Sequence, residues 1–164
     1  MYRVLQDFIE AWAYESAATL KMLRLLTDES LRQPIIPEGR TLGRLALHLS
    51  LSLAEMLHTA GLPIHEVTGD IPFSAAVLAD LYDSSAHEAA EIVEANWTDE
   101  QLTEKIPMYG ETWTKGFTLA VLINHQAHHR GQLTVLMRQA GLPVPGVYGP
   151  AAEEWAGLGL PAQL

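Results

Sequence analysis

The sequence predicts an all-α protein folded as a four-helix bundle. Three observations predict it. Four long stretches, near 2–27, 41–60, 72–96 and 116–140, run without an internal proline. Within them apolar residues recur at helical spacing. Two of them stop on the same tripeptide, Gly61-Leu62-Pro63 and Gly141-Leu142-Pro143, which puts glycine just past a helix and proline soon after. At 1.5 Å per residue such stretches make rods of about 30–39 Å, and four rods of that length in one domain pack as a bundle.

The first helix is expected from about Tyr2 to Thr27, with Val4, Phe8, Ala11, Trp12, Ala18, Met22 and Leu25 on its apolar spacing. Pro34 and Pro37 forbid its continuation. The second starts at Thr41, a plausible cap, and runs to Ala60 with Leu45, Leu49, Ser52 and Met56 inward. The third starts at Pro72-Phe73-Ser74 and is rich in the helix formers Ala and Glu. The fourth runs from Gly116–Thr118 to Ala140. The link from 97 to 116 is long enough to hold a short β-hairpin or to fold over the bundle end. Glu153, Glu154 and Trp155 suggest one helical turn in the tail.

Length and composition fit one domain over residues 1–164. Ten Lys plus Arg against twenty Asp plus Glu leave a net charge of −10. A phosphate-backbone binder needs a concentrated basic surface, so no nucleic acid and no anionic membrane is expected as partner. Asp7 and Glu10 interrupt the N-terminal stretch where an export signal needs an apolar run. The expected location is cytoplasmic. There is no cysteine, which removes disulfides, thiolate nucleophiles and Cys-held metals together. Any transition metal must then sit on His, Asp or Glu.

The seven histidines carry most of the chemistry. His125 and His129 are one helical turn apart and share a face. With Leu122 as origin and about 100° per residue, His129, Leu136, His125 and Gln132 follow within about 80° of one another, while His128 lies about 120° round. The pair therefore sits on the apolar stripe, with Gln132 at its edge. His48 flanks the inward stripe of the second helix. Facing the pair, it would complete a set of three imidazoles suited to a divalent transition metal. A set of three leaves coordination positions for water or substrate, as catalytic sites do. A histidine on an inward face can equally be a hydrogen-bonded core residue, and spacing does not show that the second helix faces the fourth. His58, His65 and His87 read as surface residues.

The string Asn124-His125-Gln126-Ala127-His128-His129-Arg130-Gly131-Gln132 resembles the signature of the DinB/YfiT family of metal-binding four-helix bundles. The family's second-helix histidine matches His48 within Leu45-Ala46-Leu47-His48. The resemblance implies an up-down-down-up bundle, a divalent metal on His48, His125 and His129, and a homodimer. Zn²⁺ or Ni²⁺ leads among the expected metals, with Fe²⁺ or Mn²⁺ behind. The wider superfamily includes S-transferases and isomerases that use low-molecular-weight thiols such as bacillithiol or mycothiol, and suspected metal-dependent hydrolases. A small-molecule substrate is implied in each case.

Two functions stay open at this point. One is a metal-dependent enzyme that activates water or a low-molecular-weight thiol, as hydrolase or thiol S-transferase. The other is a non-catalytic, stress-associated metal-binding or interaction bundle, for which a fourth protein ligand, His128 or a carboxylate, would be expected. No Asp or Glu lies within the His125–Gln132 string, so no general base is evident. Gln132 is the candidate to orient an imidazole or hold a metal-bound water. Arg130 should point away from the metal into an ion pair or a subunit contact. Gly131 would permit close helix packing. Tyr109 or Trp113 would line the pocket if the long link folds over the metal.

Overall fold

A computed structural model describes residues 1–159 and Pro161, so the expected domain end at 164 lies outside the described residues. The helices are α1 (Leu5–Leu23), α2 (Leu42–Thr59), α3 (Ala75–Asn96) and α4 (Lys115–Gln139). A hairpin of β1 (Lys105–Met108) and β2 (Glu111–Thr114) precedes α4. Among the described residues no helix is long and apolar enough to cross a membrane.

Local chemistry sets most boundaries. The hydroxyls of Thr41, Ser74 and Thr114 accept the backbone N–H three residues on and cap α2, α3 and α4. Gly61 and Gly141 end α2 and α4 at φ +86° and +75°, where a Cβ would be strained. The helix α1 is shorter than the expected 2–27. Val4 is extended and its side chain offers no cap, and Leu5 N–H is held instead by Asp99 Oδ1 at 2.7 Å. At the other end the Thr27 and Ser30 hydroxyls bond each other's backbone and turn the chain out of the helix. The tail turn falls at Trp155–Leu158.

Cross-helix contacts define the topology. Tyr2 N–H bonds Gly116 O and Arg130 bonds Glu15 O, so α1 and α4 rise together. Trp12 Nε1 donates to Ala86 O while Arg24 meets Asp80, so α3 runs against α1. Ser50 bonds Leu78 O and His65 N–H bonds Glu88, so α2 runs with α3. Helices α2 and α4 are antiparallel: Gln126 reaches Leu49 O, and Tyr109, ahead of α4, reaches Glu55 late in α2. The result is an up-down-down-up bundle with the order α1–α3–α2–α4 around the ring.

Phe8, Trp12, Leu45, Leu49, Leu53, Leu78 and Leu122 are buried in the core. The inward stripe of α1 differs from the apolar one expected. Val4 and Leu25 are exposed, and Glu15 and Thr19 are buried in its middle. The buried Arg130 explains this. Its guanidinium donates to Glu15 O at 3.0 Å and Thr19 Oγ1 at 3.1 Å and pairs with the Glu15 carboxylate. The Tyr148 hydroxyl donates to the same carboxylate at 2.8 Å, which straps the C-terminal segment to the bundle.

Candidate metal centre

The site lies on the seam between α2 and α4. Thr41 starts α2, and six residues into it His48 leaves on the flank that faces α4. The i, i+4 spacing on α4 sends His125 and His129 toward it. The three Nε2 atoms form a triangle: 3.3 Å between His48 and His125, 3.1 Å between His48 and His129, and 3.1 Å between His125 and His129. The rings cross at 66°, 89° and 78°, so nitrogens meet at edges and no rings stack face to face.

Three nitrogens in so small a triangle cannot satisfy one another. Neutral imidazole has one N–H and one lone pair, and His129 spends its N–H elsewhere. Its Nδ1 donates to Gln132 Oε1 at 2.7 Å, while the Gln132 amide lies 3.2 Å from His128 Nε2. That leaves the lone pair of His129 Nε2 aimed into the triangle. A cation bound to imidazole nitrogens at the usual ~2.0–2.1 Å, with bond angles between a right angle and the tetrahedral value, needs nitrogens about 2.9–3.4 Å apart. The triangle has those dimensions.

Electrostatics favour the ligating form. Burial lowers the pKa of His48, His125 and His129, assisted for His125 by the charges His129 and His48 would carry. His125 is pushed down to about 4. Desolvation penalises the cation, so all three rings are neutral at neutral pH, as metal ligation requires. Arg40 adds to the same field at each ring. Among the described residues no carboxylate joins the cluster.

The structure thus brings together His48, His125 and His129, with Gln132 beside them. His128 is exposed and outside the triangle. His58 and His87 are exposed and sit against Glu66 and Asp83; His65 is exposed. Arg130 points away from the imidazoles into its ion pair. Gly131 differs from expectation: among the described residues a Cβ there would meet nothing within 4 Å, so it permits no close helix packing. The 97–116 link forms the hairpin, and its tip touches α2 away from the imidazoles. Tyr109 OH donates to Glu55 Oε2 at 2.8 Å, two helical turns beyond His48. Sequence reasoning missed Glu55. Its signal was the seven-residue step from His48, which keeps both on one face. An apolar groove of about 270 Å³ between α1 and α3 lies across the bundle and shares no residue with the triangle.

The model of the DinB family matches residues 1–163. The chain belongs to the DinB family. This DinB-family chain is 44% identical to the uncharacterized protein YrdA of Bacillus subtilis (strain 168), over 99% of this chain and 98% of that one. A crystal structure of a DinB-like protein from Bacillus cereus ATCC 10987 superposes with a TM-score of 0.86 at 45% identity, covering 90% of this chain and 100% of that one. YfiT from Bacillus subtilis, described as a probable metal-dependent hydrolase with an unusual four-helix bundle topology, superposes with a TM-score of 0.63 at 18% identity, covering 84% of this chain and 87% of YfiT. At that identity the likeness to YfiT concerns the fold.

Proposed function

We propose that this DinB-family protein is a metal-dependent enzyme, a hydrolase or a thiol S-transferase, with a divalent cation on His48, His125 and His129. The observation that carries this reading is the triangle of Nε2 atoms 3.1–3.3 Å apart with no carboxylate among them. Zn²⁺ or Ni²⁺ suits neutral imidazoles best, ahead of Fe²⁺ or Mn²⁺. When bound, the cation supplies Lewis-acid polarisation and lowers the pKa of a coordinated water or low-molecular-weight thiol.

The chain's own residues do the positioning. Burial holds the three imidazoles neutral, and Gln132 fixes the ring and tautomer of His129. Among the described residues no carboxylate joins the three imidazoles, and Glu55, two turns along α2 from His48, is held by Tyr109. A structural clip would be expected to use four protein ligands; three donors favour the catalytic reading. The proposal extends to a small-molecule substrate, a homodimer and a cytoplasmic setting.

Metal analysis of protein purified without a His tag tests this. About one divalent ion per chain is expected, with loss in His48→Ala. A panel of ester and amide hydrolysis and small-thiol conjugation is expected to show activity that chelator abolishes and metal restores. Unchanged metal content in His48→Ala, or activity that survives complete metal removal, would end the proposal.

A further inference from the structure

We propose that Tyr109, Trp113 and Phe117 form a shelf that receives a planar, apolar and uncharged part of the substrate, whose reacting end lies at the three histidines. This rests on the metal-dependent reading above and names the substrate class of the same seam.

The first observation is conformational. β1 and β2 are joined by the two residues Tyr109 and Gly110, at φ +51° and +81°. A tight hairpin turn of this kind takes Asn-Gly or Asp-Gly without strain, whereas a bulky residue at positive φ is an outlier. Tyr109 is the one non-glycine residue at positive φ among those described. Strain of this sort persists where the surroundings hold it, and it clusters at binding sites. Here it is held by the bond to Glu55 and by the Trp113 ring.

The second observation is the aromatic cluster. The Tyr109 and Trp113 centroids lie 5.7 Å apart at 61°, and those of Trp113 and Phe117 lie 5.3 Å apart at 79°. Tyr109 is 51% and Phe117 41% exposed, so the cluster offers faces and edges to a ligand and does not fill the core. Such surfaces favour flat apolar groups. The Glu55 carboxylate alongside disfavours an anion there.

The third is continuity with the histidines. Glu55 lies seven residues past His48 on the same face of α2, about 10 Å along the axis. On α4, Phe117 and Val121 lead to His125 at four-residue steps. Both walls are helices, and the hairpin carrying Tyr109 and Trp113 is tied to them through Glu55 and Phe117. The shelf residues position the substrate and take no part in bond making.

The test uses the full chain loaded with Co²⁺ and titrated with butanethiol, phenylmethanethiol and 4-phenylbutanethiol, read from the thiolate-to-cobalt absorption band. In the wild type 4-phenylbutanethiol is expected to bind about tenfold more tightly than butanethiol, and phenylmethanethiol, too short to reach the shelf, to gain far less. Tyr109→Gly relieves the positive φ and removes the ring; Trp113→Leu removes the centre of the cluster. Each is expected to bring the two butyl thiols within about twofold of each other. Equal binding in the wild type, or a preference that both variants keep, overturns the shelf and leaves the metal reading standing. Failure of the chain to take up Co²⁺ overturns both readings, whereas Co²⁺ uptake without a thiolate band for any thiol overturns the shelf alone. If Tyr109→Gly converts a dimer to a monomer in sedimentation, the shelf is a subunit contact and the proposal falls.

Discussion

Nδ1 of His129 donates to Oε1 of Gln132 across 2.7 Å, one turn further along α4. Only one tautomer of His129 can make this bond with a carbonyl oxygen, and that tautomer presents a bare Nε2 to His48 and His125. Outer partners of this kind typically change metal affinity about 10–100-fold. Gln132→Leu is therefore expected to weaken Zn²⁺ binding by that range with little loss of stability, and Gln132→Glu to retain it. Competition against a chromogenic chelator measures both; undiminished affinity in Gln132→Leu would remove the orienting role.

The buried imidazoles make the metal-free protein sensitive to acid. His125 titrates near 4 when folded against about 6.5 in an unfolded chain. The unfolded state then binds more protons between those values, and stability falls with falling pH across that window. His48 and His129 are shifted in the same direction. Above about pH 7.5, a unit past the unfolded value, all are essentially neutral in both states and contribute almost no slope. Urea unfolding of metal-free protein between pH 7.5 and 4.5 is expected to show a flatter profile for His125→Gln than for the wild type. Parallel profiles would contradict the depressed value.

The Glu15–Arg130 ion pair is buried and costly to break from one side alone. Arg130 is 3% exposed, and removing its partner leaves a charge without solvent or counter-ion. Arg130→Met and Glu15→Met are each expected to cost about 3–5 kcal/mol, and the double variant much less than their sum. Chemical denaturation of all three checks this. Strict additivity would mean that the pair is not coupled.

Zinc is expected to stabilise the fold by mass action, about 2.7 kcal/mol at a free concentration one hundred times Kd. His48→Ala should abolish that gain while the metal-free variant still folds, since His48 lies on the flank of α2 outside the leucine core. Thermal melts with and without zinc report it; an equal zinc-dependent rise in the variant would exclude His48 as a ligand.

The four rods, the Thr41 cap and the two glycine stops were legible along the chain because capping and helical spacing act within a few residues. The shared face of His125 and His129 was legible for the same reason, as was the turn of Arg130, one residue from His129, away from the histidines. What Arg130 turns toward was not legible. Glu15 lies 115 residues away, and its charge reads in sequence as a solvated position on α1. The strained Tyr109 likewise gains its meaning from Glu55, 54 residues distant.

Local sequence thus determined the helices, the histidine pair on α4 and the absence of any thiol. Tertiary structure alone decided that α2 runs against α4 with His48 on the shared seam, that the three nitrogens close to 3.1–3.3 Å, and that the hairpin sets its aromatics beside Glu55. Those outcomes depend on which faces bury the most apolar surface when all four rods pack at once, a sum over the whole chain that no short window contains.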